Sequence, residues 1–532
     1  GFNVTGNTGT QSVGTLDMTG GTLNATFGTL RLGRHNVGGG SGTGTFTFGN
    51  GLVTASSLEL ANGGGNPAGT INQNGGELIV SGPITSEGGT ADYNLADGTL
   101  RFETLQNNGG TFTFDWTGGT IANVAGQDLT NVDVDVDMTG AGPWTAEIQA
   151  GQTGEFQSNA DLTGMGDLTK IGGGTLTLAG TNIYAGATNV DAGTLALSNA
   201  TNNNIANSTP ITVAAGTILD VTALAGGRLD LAAGQTLQGE GDVTGNVTAL
   251  GTSIVNPGGT PGILTVSGNL SFDANSTLTI EITGVTTAGT EYDQQVVGGD
   301  VAIDTSANLN LVDGFAGTGA LGDMLILIDN NGPNPVTGNF NGLPNGSDVA
   351  FNSETWRIFY DGGDGNDVVL TFVPATIPET YVNDSFTPSN GFYNGNSVTD
   401  ADPNTAGDQF AVFGVTAFDT IQEGVDAVDA AGTVHITDDI NGPNASPSAA
   451  TPNDGAGSYL EAVTIGKDLT LRTSEADATA AVITNAAGDT IAINSGATSV
   501  TIENVTVTGS SDDGIDADGV SGTLTFTGVV ST

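Results

Sequence analysis

The chain has 532 residues, of which 8 are lysine or arginine and 57 are aspartate or glutamate, giving a net charge of −49. Because binding to phosphate groups depends on Lys and Arg, this balance argues against nucleic acid or an anionic membrane as partner. The absence of cysteine excludes disulfides and thiolate metal sites. No apolar run reaches the ~20 residues of a membrane-spanning helix, so we expect no membrane insertion in this segment.

A repeated turn organises the first part of the chain. Glycine accounts for 86 residues, yet 37% of the chain is hydrophobic, which is typical of short strands joined by tight turns rather than of disorder. Stretches with period-two alternation separate the turns, and periods of this length are typical of solenoids, in which each rung covers the apolar face of the next. We therefore predict an all-β fold, a β-helix over residues 1–255. The turn glycines are Gly21, Gly51, Gly76, Gly98 and Gly119, at spacings of 30, 25, 22 and 21 residues.

Residues 172–200, GGGTLTLAGTNIYAGATNVDAGTLALSNA, contain Gly-Thr-Leu-x-Leu twice. The doubling predicts one rung stacked on the next. Residues 164–200 resemble the autotransporter-associated β-strand repeat of bacterial surface passenger domains. The resemblance implies a right-handed parallel β-helix that serves display and export rather than catalysis. Its hallmark positions are Leu168, Lys170, Gly174, Leu176, Leu178, Gly180, Asn182, Tyr184, Gly186, Val190, Gly193, Leu195 and Leu197.

After residue 255 the sequence changes character. Residues 256–373, with turns at Pro257 and Pro261, resemble the C-terminal rungs that follow such repeats in very large bacterial surface proteins. We expect terminal β-helix rungs or a β-rich cap there. Residues 374–405 are rich in Pro, Asn and Asp and form the best linker candidate. Four aromatic residues suggest that this linker packs against the fold: Tyr381, Phe386, Phe392 and Tyr393.

One short helix is predicted near residue 420. Phe418, Ile421, Val425 and Val428 follow helical spacing, and Thr416 is the expected N-cap. The strand pattern that follows resembles the pectate-lyase-like right-handed β-helix superfamily, which implies that the helix caps an open solenoid end. We expect residues 406–532 to be the start of a second β-helix, cut short at residue 532, within a longer polypeptide. The residues that carry this resemblance are Tyr459, Glu461, Val463, Ile465, Lys467, Leu469 and Leu471.

Two acidic segments are candidate Ca²⁺ sites. GGDGNDVVL at 362–370 resembles the calcium-binding nonapeptide of repeats-in-toxin proteins, but it occurs once, and a plain polar turn is the preferred interpretation. SSDDGIDADG at 510–519 lies at a predicted rung corner. The resemblance to polygalacturonases suggests Asp512 and Asp513 as an acid–base pair, although the partner motifs of that family are missing. A polar or cation-loaded turn is preferred. The candidate ligands are Asp364, Asp367, Asp512, Asp513, Asp516 and Asp518.

A third acidic run, NVDVDVDM, alternates three valines with Asp133, Asp135 and Asp137. Alternation predicts one strand with the three carboxylates on its outer face. Such a row is able to share cations, but a solvated strand face is the preferred interpretation.

Catalytic signatures are scarce. His35 lies in a glycine-rich turn and His435 in a predicted strand of another domain, so we expect no histidine pair or histidine metal site. Lys467 and Arg472 resemble structural residues of the second β-helix. We predict a non-catalytic extracellular structural protein, a segment of a giant bacterial surface or fibre-forming protein. It would self-associate and would contact surface polysaccharide and Ca²⁺. The alternative is a secreted enzyme that binds or degrades polysaccharide.

Overall fold

A computed structural model describes residues 12–34, 41–63, 65–402, 408–437, 458–473 and 481–531. The chain divides into two compact units, residues 1–280 with 293–310 and residues 281–292 with 311–532. The strands up to residue 313 are Ser12–Met18, Ala25–Leu32, Gly42–Phe48, Leu52–Leu60, Ala68–Ser86, Thr90–Asn107, Thr111–Trp116, Gly119–Asn123, Leu129–Val132, Val136–Met138, Trp144–Glu147, Thr153–Phe156, Leu162–Gly164, Leu168–Ile171, Thr175–Leu178, Thr188–Val190, Thr194–Asn199, Ile211–Val213, Ile218–Leu224, Arg228–Leu231, Thr236–Gly239, Asp242–Thr244, Asn246–Ala249, Ile254–Pro257, Ile263–Val266, Leu270–Phe272, Thr277–Ile282, Gln294–Val297, Val301–Ile303 and Asn308–Asp313.

Among the described residues, the remaining strands share the second part of the chain with one α-helix, Ile421–Ala427. Two 3₁₀ turns occupy Ala225–Gly227 and Pro388–Asn390. The strands after residue 313 are Met324–Asn330, Thr337–Gly338, Ser347–Phe351, Glu354–Gly362, Asp367–Val373, Glu379–Val382, Ser397–Val398, Ala411–Val412, Ala417–Phe418, Gly432–Ile436, Ser458–Leu460, Val463–Ile465, Leu469–Thr473, Ala481–Thr484, Ile491–Ile493, Ser499–Glu503, Val505–Thr508, Ile515–Asp516, Thr523–Thr527 and Val530–Ser531.

The first unit is a parallel β-solenoid, as predicted. Each strand pairs in parallel with the strand one rung further along, so the sequence repeat becomes a stack. Residues that pair on successive rungs are separated along the chain by 30, 25, 22 and 21 residues, the same spacings as those of the turn glycines. The successive pairs are Ser12 with Gly42, Thr43 with Ala68, Ala68 with Thr90, and Thr90 with Thr111.

The core of this unit runs through the centre of the rungs. Alternation points every second side chain inward, and parallel register places like residues above one another. Leu78 lies against Leu100, and Leu100 lies against Ile121. All three are at most 2% exposed. Apolar stacking of this kind buries a face that a single rung leaves open to water.

The second unit contains an antiparallel sheet and a second set of parallel rungs. Met324–Asn330 and Glu354–Gly362 flank Asp367–Val373, and Ser347–Phe351 lies beyond Glu354–Gly362. Later in the chain, three separate parallel ladders give three successive rungs three sides each, and a fourth rung contributes strands to two of the ladders. Their members are Gly432–Ile436, Leu469–Thr473, Ser499–Glu503 and Thr523–Thr527; Ser458–Leu460, Ala481–Thr484, Val505–Thr508 and Val530–Ser531; and Val463–Ile465, Ile491–Ile493 and Ile515–Asp516.

The predicted helix forms, but its N-cap was assigned wrongly. The helix begins at Ile421, and the side chain of Thr420, not Thr416, accepts the backbone N–H of Glu423. Thr416 lies before a short strand that contains Phe418, and its hydroxyl accepts the backbone N–H of Val412. The apolar residues at helical spacing are buried as predicted: Ile421, Val425 and Val428 belong to the core of the parallel rungs.

Three of the four aromatic residues of the predicted linker pack into a buried cluster. Tyr381, Phe386 and Phe392 share one buried cluster with Phe413. The ring centroids of Phe386 and Phe392 are 5.0 Å apart. The described residues of 381–402 and 408–417 therefore share a small apolar core of their own.

Candidate functional site

The doubled Gly-Thr-Leu segment forms two stacked rungs, as the sequence predicts. Thr175–Leu178 and Thr194–Asn199 pair in parallel, with Leu176 opposite Leu195 and Leu178 opposite Leu197. All four leucines are fully buried. Some polar residues of this segment lie at the corners or point into the rung, and they carry the distinctive chemistry of the site.

Lys170 is a fully buried cation within this segment. Its strand register places it between Ala146 and Val190, and the small Ala146 side chain leaves space for the long lysine stem. The Nζ atom donates to three backbone carbonyl oxygens, those of Ile171 at 3.0 Å, Gly172 at 2.8 Å and Ala192 at 2.9 Å. Burial lowers the pKa of Lys170 to about 8. The ammonium group therefore links the carbonyls of two successive corners.

A buried chain of hydroxyl groups lies in the same rungs. The Tyr184 hydroxyl is 2.5 Å from Thr188 Oγ1, which is 2.7 Å from Ser208 Oγ. All three residues are fully buried. Burial raises the pKa of Tyr184 to about 12, so the phenol stays protonated at neutral pH. Each hydroxyl is satisfied by its neighbour, as buried polar groups require.

Rung corners are joined by a recurring contact that we call the Asx corner. An Asp or Asn side-chain oxygen on one rung accepts a backbone N–H from the next rung. Asp161 Oδ1 accepts from Thr181 at 2.7 Å, and Asp167 Oδ1 accepts from Ala187 at 2.7 Å. The same contact joins Asn246 to Asn269 and Asn269 to Asp300 at 2.8 Å each.

Glycine precedes the residue that donates the N–H in each of these four Asx corners, and at the first two a side chain has no space there. A Cβ atom on Gly180 would lie 2.4 Å from the carbonyl oxygen of Ala160 and 2.7 Å from Asp161 Oδ1. Gly186 faces the same obstruction from Gly166 and Asp167. The Asx corners were missed from sequence. Their signal is an Asp or Asn followed by Gly-X one rung period later.

Of the calcium-motif candidates, Asp364 lies in the turn before the strand Asp367–Val373, and Asp367 is the first residue of that strand. Asp367 is 4% exposed, and its Oδ1 accepts the backbone N–H of Asn330 at 2.8 Å. Asp364 is exposed, and its backbone N–H lies 3.4 Å from Asp367 Oδ2. Burial raises the pKa of Asp367 to about 6. The Asp367 carboxylate therefore already accepts hydrogen bonds from two backbone N–H groups.

The second acidic segment brings two of its four candidates together with a residue that sequence reasoning missed. Carboxylate oxygens of Asp489, Asp512 and Asp513 all lie within 4.8 Å of one another. Asp513 also donates its backbone N–H to Asp489 Oδ1 at 3.0 Å. Asp516 and Asp518 are outside this cluster, and Asp516 Oδ1 accepts the Asp518 N–H instead. Oxygen ligands in such a group suit a hard divalent cation.

The single strand predicted for Asp133, Asp135 and Asp137 is wrong. The strands Leu129–Val132 and Val136–Met138 are separated by a corner. Asp133 Oδ1 accepts the backbone N–H of Asn107, and Asp135 Oδ1 accepts that of Asp161. Alternation continues through the corner because Val134 also points inward, at 4% exposed. Two of the carboxylates therefore contribute to rung stacking rather than to a continuous outer row.

The predicted basic and imidazole groups of the second unit are held by neighbouring groups. His435 lies in the strand Gly432–Ile436, stacked on Tyr381 with ring centroids 5.2 Å apart. Its Nε2 is 3.8 Å from Glu379. In register, His435 pairs with Arg472 on the next rung. His35 lies outside the described residues.

Lys467 and Glu461 hold the two ends of the helix Ile421–Ala427. Glu461 accepts the backbone N–H groups of Ile421 at 2.8 Å and Gln422 at 3.0 Å. Lys467 Nζ donates to the carbonyl oxygens of Asp426 and Val428. Burial raises the pKa of Glu461 and lowers that of Lys467. These two residues therefore cap the helix from the adjacent rung, which agrees with the predicted structural role of Lys467.

Comparison with known families identifies the segment that contains the doubled Gly-Thr-Leu. Residues 168–197 match the model of the passenger-associated-transport-repeat family. This segment is an autotransporter passenger-type repeat. The passenger-type repeat contains Lys170, Tyr184 and Thr188, so the buried ammonium group and most of the hydroxyl chain belong to it. Its presence implies a secreted or surface-exposed protein. No curated protein matches the chain.

The match covers a small part of the chain, and the pectate-lyase resemblance of the later rungs stays a prediction. In the part of the chain that the structure describes, no helix has the length and apolar character needed to cross a bilayer.

Proposed function

We propose that this chain is a non-catalytic structural segment of a giant bacterial cell-surface or fibre-forming protein. The observation that carries the proposal is the use of polar groups in and around the passenger-type repeat. Lys170 donates to carbonyls of two successive corners, and Asp161 and Asp167 accept from the next rung. Side chains that bond to a neighbouring rung contribute to stacking. A surface built in this way serves architecture or adhesion.

Location and assembly test the proposal directly. Antibodies raised against the folded chain are expected to label intact cells of the source organism. Electron microscopy of the native material is expected to show filaments or a periodic lattice. Labelling that appears only after lysis, or isolated particles without order in the native material, would contradict a structural role at the cell surface.

We also propose that Ca²⁺ stabilises the chain and its assembly. The net charge of −49 opposes association unless cations screen it, and the Asp489, Asp512 and Asp513 carboxylates supply a candidate site. EDTA is expected to lower the Tm and to disperse assemblies, and Ca²⁺ to restore both. The Asp512→Asn/Asp513→Asn variant should lose the response, whereas Asp518→Asn should keep it. An unchanged Tm and assembly state in EDTA would overturn this proposal.

The alternative function is polysaccharide binding or degradation, and the same three carboxylates are the observation that favours it. Acidic residues on a β-helix rung are a suitable place for a cation that contacts a uronate substrate. Polygalacturonate incubated with the chain and Ca²⁺ would then yield unsaturated or reducing ends. Turnover that disappears in Asp512→Asn/Asp513→Asn supports the enzyme. Binding without turnover supports a glycan adhesin instead.

A further inference from the structure

The corner that precedes the strand Leu52–Leu60 brings a side-chain amide next to the backbone nitrogen that follows it. Asn50 is exposed, and its Oδ1 accepts the N–H of Gly51 at 2.8 Å. This contact places the carboxamide carbon beside the Gly51 nitrogen. Gly51 has φ +98, and a Cβ atom there would lie 2.1 Å from the carbonyl oxygen of Leu23. Only glycine fits this corner, and glycine also leaves its nitrogen open to approach.

We propose that Asn50 is a site of spontaneous deamidation in the folded protein. The Gly51 nitrogen attacks Asn50 Cγ, the N–Cγ bond forms, and the Cγ–Nδ2 bond breaks as ammonia leaves with the proton from Gly51. Water then opens the resulting five-membered imide at either carbonyl. Opening at the backbone carbonyl gives isoaspartate, and opening at the side-chain carbonyl gives aspartate. The co-reactant is solvent water, and no oxidant or enzyme is required.

Other Asn–Gly pairs in the chain provide the comparison. In two of them, Asn345–Gly346 and Asn394–Gly395, the glycine nitrogen is directed to a different acceptor. Gly346 donates to the carbonyl oxygen of Ile358, and Gly395 donates to that of Phe413, at 2.9 Å each. The side chains are also held away, because Asn345 Oδ1 accepts from Tyr360 and Asn394 donates to Asp361. Reacting groups that are held together react faster than groups held apart.

The fold treats the two products differently. Asp97 and Gly98 occupy the equivalent corner two rungs later, where Gly98 donates to Asp97 Oδ1 at 2.7 Å. Aspartate at position 50 therefore fits the corner. Isoaspartate lengthens the backbone by one carbon, and the next corner is already close, since a Cβ atom on Gly76 would lie 2.8 Å from the Gly51 carbonyl oxygen. Isoaspartate is expected to loosen this edge of the solenoid.

The test is peptide mass spectrometry of the full chain after incubation in mildly alkaline buffer. The folded chain is expected to deamidate at Asn50 about ten-fold or more faster than at Asn345 and Asn394. In urea the three rates should converge, because only the fold separates them. Equal rates in the folded chain overturn the proposal. A difference that persists in urea also overturns it, since sequence context alone would then be responsible.

Two variants complete the test. Asn50→Gln lengthens the side chain and should abolish the modification without changing the Tm. Asn50→Asp reproduces one product and should keep the parent Tm. A fall in Tm during incubation of the parent chain, absent from Asn50→Gln, then reports isoaspartate. If the Tm of Asn50→Gln falls during incubation as much as that of the parent chain, the assignment to Asn50 is wrong.

Discussion

Lys170 occupies an inward position that apolar residues fill on neighbouring rungs. Its register neighbours are Ala146 and Val190. Removing an ammonium group from water is costly, as its lowered pKa of about 8 reflects. Three carbonyl oxygens at 2.8 to 3.0 Å offset that cost. The residue is therefore tolerated because the corner carbonyls of two rungs converge on one point.

Replacement of Lys170 tests this account. Lys170→Met keeps the apolar stem but leaves the carbonyls without their donor, and we expect the free energy of unfolding to fall by about 2 kcal/mol. Urea unfolding measures it. The control is Arg228→Met, which breaks an exposed ion pair with Asp230 and should change stability by less than about 0.5 kcal/mol. A more stable Lys170→Met chain would show that burial of the charge outweighs its hydrogen bonds.

Burial of Asp367 should make the stability of the folded chain depend on pH in a definite direction. Its pKa rises from 3.8 to about 6 on folding because the carboxyl is buried. Between these values the folded chain binds a proton that the unfolded chain has released. Stability contributed by this group is therefore greatest below pH 3.8, falls as the pH rises towards about 6, and stays lower above it.

Asp367→Asn isolates that contribution among the many other carboxylates. The variant keeps an oxygen for the Asn330 N–H but does not ionise. Relative to the variant, the parent chain should lose about 2 kcal/mol between acidic and neutral pH, measured by urea unfolding in EDTA. A constant difference between parent and variant across this range would contradict the assignment. Ca²⁺ bound at this turn would reduce the loss, because a cation stabilises the ionised carboxylate.

At the scale of one element, the helix Ile421–Ala427 depends on the rung beside it. A helix of seven residues is marginal alone. The Glu461 carboxylate accepts N–H groups at the first turn of the helix, and the Lys467 ammonium group donates to carbonyl oxygens at the last turn. A negative charge at the start of a helix and a positive charge at its end are the arrangement that the helix dipole favours. The Gln422 side chain adds two bonds to the Thr464 backbone.

Removal of the Lys467 hydrogen bonds should destabilise the helix without unfolding the parallel rungs. Lys467→Met is expected to lower the free energy of unfolding by about 1 kcal/mol and to speed hydrogen exchange in residues 425–428. Lys467→Arg keeps a donor and serves as the control. Faster hydrogen exchange throughout residues 463–507, rather than in the helix alone, would show that Lys467 stabilises the whole core of the parallel rungs.

The sequence predicts elements better than their junctions. Helical spacing located the helix, but Thr416 and Thr420 have the same capping chemistry, and only the strand at Phe418 decides between them. Alternation correctly predicted that Val132, Val134 and Val136 point inward. It did not reveal the corner between them, because a tight corner preserves the inward–outward order.

For the candidate site, sequence supplied the residues but not their partners. Asp489 joins Asp512 and Asp513 only because residues one rung apart are stacked, and that distance is 24 residues in this part of the chain. Lys170 was a recognised hallmark of the repeat, yet nothing in its neighbours along the chain indicated three carbonyl acceptors. Contacts between rungs require the register, which composition and period alone do not provide.

At the scale of the first unit, register is the property that the whole stack shares. Thr175 pairs with Thr194, nineteen residues further along the chain. Deletion of residues 175–193 therefore removes one complete turn and joins equivalent positions. We expect the shortened chain to fold, with a far-ultraviolet circular dichroism spectrum like that of the parent and a modestly lower Tm.

A deletion one residue shorter is the matched control. Removal of residues 175–192 shifts every later strand by one position at the junction and turns apolar side chains outward. That chain should unfold at a much lower temperature or aggregate. Equal Tm values for the two deletions would show that rungs adapt individually and that the stack imposes no common register.

The scarcity of basic residues affects how well the protein resists proteolysis outside a cell. Arg31, Arg101, Arg228 and Arg357 are engaged in ion pairs, and Lys170 and Lys467 are bonded to carbonyl groups. Digestive enzymes that cut after lysine or arginine need a free, extended segment around that residue. Six of the eight lysine and arginine residues are thus held by their partners, so such enzymes should cut the folded chain slowly at these six positions.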